Sequence, residues 1–247
     1  MSTLSVIIPS YDQHEVTALH VKAIMNSTRL PDEVIVVNDG GADNLKDLLL
    51  KIDRKCPVIY AKINEDIPWN YTGARNLGFF LSRGDYVAIE DTDHIPYPDV
   101  YEKTMKYVEE HKFNGRILFD KRRKVYKQDA LNNPVDKWTL IPKDRVPHDD
   151  LHILHRDVYL KVKGCDERFA GKYAWACTDW RRRLDRAKIK TERLLGVYYY
   201  VILEAETNTL ERRKHPDNYW LARQRKGEER TQSPEGILRF TYTYETL

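Results

Sequence analysis

The first hundred residues alternate short apolar runs with amphipathic stretches. Residues 4–8, 33–37, 58–61 and 85–90 are compact runs rich in Val and Ile, as expected of strands buried on both faces of a sheet. Between them, residues 14–27 place Val16, Leu19, Val21 and Ile24 at helical spacing, and residues 43–52 and 72–82 read as further helices. Pro9 closes the first strand, Asn38-Asp39-Gly40-Gly41 makes a turn after the second, and Gly84 breaks the third helix ahead of the fourth strand. This order predicts βαβ units and a mostly parallel sheet, with ligands bound at the carboxyl ends of the strands.

Beyond residue 97 the pattern predicts a helix over 100–111 and a strand over 116–120. Residues 127–150 carry little periodic signal and read as a long loop. A strand over 151–154, helices over 157–162 and 179–187, and a strand-like run over 196–203 follow. No internal repeat or low-complexity linker interrupts the 247 residues, so one α/β domain is the expectation.

Composition narrows the function classes. Hydrophobic residues at 41% and charged residues at 32% exclude long disorder. No apolar run approaches the roughly 18 to 20 residues of a membrane span, and residues 1–13 lack a basic n-region and a cleavage site. The expectation is a cytoplasmic protein without a transmembrane segment. Cys56, Cys165 and Cys177 are odd in number and form no C-x-x-C pair, which argues for reduced thiols over a disulfide framework or structural zinc. Net charge is only +3, yet residues 121–124, 181–183 and 212–214 are dense basic clusters and a further group spans 223–230. Such runs are solvated faces or surfaces for an anionic acceptor or membrane.

The chemistry concentrates at Asp91-Thr92-Asp93, set directly after the fourth strand. Alternate carboxylates at a strand end suit a hard cation such as Mg²⁺ or Mn²⁺, which prefers oxygen ligands. A D-x-D by itself is a weak signal. Its surroundings make it specific: Ala74-Arg75-Asn76-Leu77-Gly78, then Gly84-Asp85-Tyr86, then Asp91-Thr92-Asp93 resemble the A-R-N-x-G, G-D-Y and D-x-D pattern of family 2 glycosyltransferases. Val6-Ile7-Ile8-Pro9-Ser10-Tyr11 and Val36-Val37-Asn38-Asp39-Gly40-Gly41 resemble that family's first strand and its V-x-D-G-S segment.

The resemblance implies a GT-A fold, three-layered around a mostly parallel sheet, in a single domain over 1–247. Residues 1–95 would bind the nucleotide sugar, 96–210 the acceptor, and 211–247 would close the site. It implies an enzyme moving a sugar from a nucleotide-diphosphate donor, UDP-linked by preference, to an acceptor hydroxyl, dependent on Mn²⁺ or Mg²⁺ and inverting. The acceptor would be a glycan or lipid-linked hydroxyl, with an anionic acceptor such as modified DNA open. Pro9, Ser10 and Tyr11 would wall the base, Tyr11 offering a stacking face. Asp39 would accept hydrogen bonds from the base imide or ribose, its alternative being a turn former. Arg75 would meet a phosphate or a structural carboxylate, and Asn76 would cap or brace. Asp91 would bind donor and metal with Asp93, and His215 would complete the metal shell ahead of His94.

The second half matches less completely. Residues 151–159 and Gly164-Cys165-Asp166-Glu167-Arg168-Phe169 resemble the family's acceptor-side segment, but Ala176 and Cys177 stand where its acidic E-D pair is expected. An inverting transfer needs a carboxylate within reach of the acceptor hydroxyl. Asp179 is the nearest, with helix N-cap as its alternative role and Asp166 and Glu167 as substitutes. A nucleotidyltransferase would need a Gly-rich basic loop after the first strand, and a Rossmann dehydrogenase a G-x-G-x-x-G; neither is present. A module of this fold that binds a nucleotide or nucleic acid without transfer is the remaining alternative.

Overall fold

A computed structural model describes residues 1–41, 44–145, 151–203, 221 and 238–247. Its strands are β1 (Leu4–Ser10), β2 (Glu33–Asn38), β3 (Val58–Ile63), β4 (Tyr86–Ile89), β5 (His94–Pro96), β6 (Arg116–Tyr126), β7 (Ile141–Arg145), β8 (His152–His155), β9 (Thr191–Leu203) and β10 (Tyr242–Thr246). The helices are α1 (His14–Ile24), α2 (Asn44–Leu50), α3 (Tyr71–Leu81), α4 (Val100–His111), α5 (Lys127–Asn132), α6 (Arg156–Lys161) and α7 (Ala176–Arg186). All strands join one mixed sheet in the order β10-β3-β2-β1-β4-β8-β6-β9-β5, with β7 added on β6. Strands β3-β2-β1-β4 run parallel, as the βαβ pattern requires, and place the ends of β1, β2 and β4 on one edge.

Alternation along the strands divides the core into two layers. Leu4, Val6 and Ile8 of β1 and Val34 and Val36 of β2 pack with Val21 and Ile24 of α1, Leu45 and Leu49 of α2, and Met105 of α4. Ile7, Ile35 and Val37 face the other way, onto Ala74 and Leu77 of α3, Val158 of α6 and Trp180 and Leu184 of α7. Helices on both faces of the sheet make three layers. Gly78 of α3 is required by contact: a Cβ there would lie 2.3 Å from the Ile7 side chain.

Several boundaries differ from the sequence expectation, each for an identifiable reason. Strand β1 continues through Pro9, because the pairs with β4 end at Ile7 and only β2 flanks the proline. The basic run after residue 120 extends β6 to Tyr126, paired in parallel with β9 through Tyr126↔Leu203. Residues 127–145 are not a structureless loop. They form α5, a short 3-10 turn at Val135–Lys137 and β7, anchored by buried Ala130 and Trp138 and by Asp129, which accepts from the Thr139 amide. Elements this short do not develop a period. Helix α7 begins at Ala176, before the predicted start, so Asp179 lies inside its first turn, its amide donating to the Trp175 carbonyl; the N-cap alternative for Asp179 is thereby removed. Strand β10 pairs antiparallel with β3 at the edge of the sheet.

Candidate active site at the carboxyl edge of the sheet

Strand β4 delivers Glu90, Asp91, Thr92 and Asp93 to the carboxyl edge. Glu90 is fully buried and accepts from the Tyr101 hydroxyl (3.0 Å) and the Tyr199 hydroxyl (2.5 Å), with His20 Nε2 at 2.8 Å. His20 also sets Nδ1 3.3 Å from the Thr92 carbonyl, and the Thr92 hydroxyl donates to the Pro9 carbonyl. The peptide between the two aspartates is thus pinned from α1 and β1 while their carboxylates remain partly exposed.

Each carboxylate has its own positioning partner. Arg75, 2% exposed in the first half of α3, donates from Nη2 to Asp91 Oδ1 at 2.6 Å, and its guanidinium lies over the Tyr71 ring at 4.8 Å. Asp93 Oδ1 is 2.7 Å from His94 Nδ1, and His94 Nε2 is 2.9 Å from Nη1 of Arg122 on β6. Arginine has no acceptor, so the Arg122 contact requires a lone pair on His94 Nε2. The ring is then neutral, carries its proton on Nδ1 and donates it to Asp93. Burial disfavours the His94 cation, the Asp93 and Asp91 carboxylates favour it, and the balance lies above histidine's ordinary pKa.

Ligand atoms of Asp91, Asp93 and His94 all lie within 4.8 Å of one another. Two partly exposed carboxylates on one edge fit a hard divalent cation. With both nitrogens engaged, His94 orients Asp93, which is the part usually played behind a metal ligand. His215 lies outside the described residues.

The residues expected to bind the donor divide into exposed and bracing groups. Tyr11 is 46% exposed and presents an open ring, and its hydroxyl pKa is raised by desolvation and by Asp66. Ser10 is buried, its hydroxyl 2.6 Å from that of Thr17 and its carbonyl accepting from the Asp39 amide, so it and the buried Pro9 brace the loop more than they wall it. Asp39 is 3% exposed, and its Oδ1 has no hydrogen-bond partner among the described residues. Its carboxyl is pushed up to about 7, by burial first; Asn70 opposes this and Asp66 adds to it. The turn is held instead by Asn38 Oδ1, which accepts from the Gly41 amide, and by Gly40 at φ 80°.

Asp179, expected from the sequence on the acceptor side, is 2% exposed and accepts from Arg183 Nε at 2.8 Å, one helical turn on. Arg183 also donates to the carbonyls of Val162 and Gly164. Desolvation raises the Asp179 pKa against the pull of Arg183. Asp166 is engaged by Arg168, and Glu167 accepts from Asn76 and from the amides of Leu238 and Arg239. Asn76 is a brace, accepting from Tyr159 and from the Cys165 amide and donating to the Cys165 carbonyl. The sequence reading missed His20, Glu90, Tyr101, Tyr199 and Arg122. A usable signal was His20, which stands between Val16 and Ile24 on the apolar stripe of α1.

Three layers around this sheet, with paired aspartates at its carboxyl edge, define a protein of the GT-A class. The chain belongs to glycosyl transferase family 2, whose model matches residues 5–157. An uncharacterized glycosyltransferase of Rickettsia bellii is 34% identical over 112 residues, 44% of this chain and 16% of that protein. Chondroitin synthase of Escherichia coli is 30% identical over 96 residues, 38% of this chain and 14% of that protein. The match thus covers only a small part of these relatives' length. Among solved structures, S. aureus TarS 1-349 in complex with UDP-GlcNAc aligns with TM-score 0.70 at 13% identity, over 89% of this chain and 64% of that one. Mannosyltransferase PcManGT from Pyrobaculum calidifontis, in complex with GDP-Man and Mn²⁺, aligns with TM-score 0.65 at 16% identity, over 92% and 65%. Among the described residues no helix is long and apolar enough to cross a membrane.

Proposed function

We propose that the protein transfers a sugar from a nucleoside-diphosphate sugar, UDP-linked by preference, to an acceptor hydroxyl in a metal-dependent, inverting displacement. The observation that carries this reading is the Asp91–Asp93 pair, braced by Arg75 and His94 at the carboxyl edge of the parallel strands. A divalent cation held there would offset the charge on the departing diphosphate. Asp39 and Tyr11 take the nucleoside: the unpartnered Asp39 Oδ1 accepts from the base or ribose, and the exposed Tyr11 ring stacks. Asp179 takes the acceptor proton as the hydroxyl oxygen bonds to the anomeric carbon and the bond to diphosphate breaks. Its burial-raised pKa supports that role, and its Arg183 pairing orients it. The TarS and PcManGT complexes hold nucleotide sugars, which supports the donor class, and relatives named chondroitin synthase and hyaluronan synthase support a glycan acceptor. A cytoplasmic location belongs to the same proposal, and a lipid-linked hydroxyl or an anionic acceptor such as modified DNA is the alternative to the glycan.

The test is metal-dependent release of nucleoside diphosphate from a panel of nucleotide sugars. Chelator should abolish it, Mn²⁺ or Mg²⁺ restore it, and Asp93→Asn reduce it by about two orders of magnitude or more with the melting temperature held. Full turnover in excess chelator would remove the metal from the reading. A binding module without transfer is the second reading, favoured by Ala176 and Cys177 at the expected acidic positions. Nucleotide binding without turnover of any donor would select it.

A further inference from the structure

Strand β10 ends the sheet, and one of its two sides has no strand beside it among the described residues. Its inner side is fixed by the ladder to β3, which runs from Tyr242↔Ile63 to Thr246↔Ile59 without a shift of register. Just outside those pairs, the Thr241 carbonyl accepts from the Asn64 amide and the Leu247 amide donates to the Val58 carbonyl. Hydrogen-bonded residues alternate along an antiparallel ladder, so Thr243 and Glu245 also turn their backbone groups to β3. Tyr242, Tyr244 and Thr246 turn theirs outward, to the open side.

Such an edge is a template for another strand, and monomeric proteins blunt it with lysine, proline or a bulge. Tyr242-Thr243-Tyr244-Glu245-Thr246 has none of these. One face of the strand is aromatic. Tyr244 is 60% exposed and Phe80 of α3 is 57% exposed, and Tyr242 links them, its ring centroid 6.5 Å from that of Phe80 and 6.3 Å from that of Tyr244. On the other face the strand's single charge, Glu245, is paired with Lys46 of α2 at 2.6 Å.

The partner that matches this edge is a second copy of the chain. Antiparallel pairing about a twofold axis at Tyr244 sets Tyr244 opposite itself and Tyr242 opposite Thr246. These are the residues whose backbone groups face out, so each outward N–H and C=O meets a partner. The aromatic row continues across the axis, because each Tyr242 is the diagonal neighbour of the other copy's Tyr244. On the opposite face Thr243 stands against Glu245, and the two Glu245 carboxylates, diagonal to each other, each bring their own Lys46. That cluster is neutral, so no charge opposes the pairing.

We propose that the protein forms a twofold dimer through β10, joining two sheets into one. The dimer goes beyond the transfer reading and does not depend on it, since three strands separate β10 from β4 and its aspartates. The axis reverses strand direction, so the carboxyl edges of the two copies face opposite ways.

Sedimentation equilibrium tests the dimer, and the expected mass rises reversibly from one chain toward two between micromolar and millimolar protein. Tyr244→Lys places like charges opposite each other and removes the central ring. It should raise the dissociation constant by about tenfold or more, with the melting temperature of dilute protein unchanged because the side chain faces away from the core. Tyr244→Cys brings two Cα atoms to about 5.5 Å, within disulfide range, so mild oxidant should give far more covalent dimer than it gives with the parent. A single-chain mass at every concentration overturns the proposal. A dimer that Tyr244→Lys leaves intact, or that Tyr244→Cys does not cross-link beyond the parent, uses another surface and overturns it as well. Should Tyr244→Lys lower the melting temperature, the cross-link alone decides.

Discussion

Asp39 is a carboxylic acid held almost out of water, with one oxygen unmatched among the described residues and its pKa pushed up to about 7 by burial. Its folded-state pKa lies above the unfolded value, so the folded protein binds an extra proton between about pH 4 and pH 7. The stability this contributes is complete below the unfolded pKa and is lost as pH rises through 7. The melting temperature without nucleotide should therefore fall from pH 5 to pH 8, and Asp39→Asn should flatten that fall, as calorimetry can show. Equal slopes in the two proteins would mean that Asp39 is not the group titrating. At the other end of the site, Arg122 fixes which nitrogen of His94 carries the proton. Arg122→Met should release the ring, let Asp93 swing, and weaken Mn²⁺ binding by about 10- to 100-fold in an electron paramagnetic resonance titration. Unchanged Mn²⁺ affinity would show that Asp93 needs no such support.

Helix α7 carries two demands on one side chain. Asp179 neutralises the fully buried Arg183, and in the proposed mechanism it also takes a proton. Asp179→Asn should lower turnover by about two to four orders of magnitude with nucleotide affinity preserved, and should lower the melting temperature because Arg183 loses its countercharge. Near-normal turnover would move the base to another residue. Glu90 poses the same question for β4: Glu90→Ala strands His20 and two tyrosines, a loss of about 3–5 kcal/mol and on the order of 10 °C in melting temperature. Strands β1 to β4 were legible as apolar runs rich in Val and Ile and bounded by turn residues, and helix α4 by its apolar period. Strands β5 and β7 and helix α5 were not, since each is short and carries neither an apolar run nor a period. The aspartates of the site were legible from the motifs around them. Their supports were not, because Arg122 hid in a run of four basic residues that solvent alone would explain, and only the alternation of β6 turns it inward.

Across the whole molecule, the sheet is finished by a strand from the opposite end of the sequence. Strand β10 covers β3, and the neighbouring amides of Leu238 and Arg239 rest on Glu167, which also holds Asn76 of α3. Truncation before residue 238 should expose β3 as an open edge. Lower melting temperature and light scattering on standing are the expected signs, and a truncated protein as stable and monodisperse as the parent would show that β10 is dispensable. The same closure sets a timetable for synthesis. Roughly 180 residues separate β3 from β10, so at about 5–20 residues per second the ribosome leaves the N-terminal half with one unguarded flank for roughly ten to forty seconds. During that interval a neighbouring nascent chain could dock where β10 belongs, so yield on expression should respond to translation speed and chaperone supply more than the stability of the finished protein would suggest.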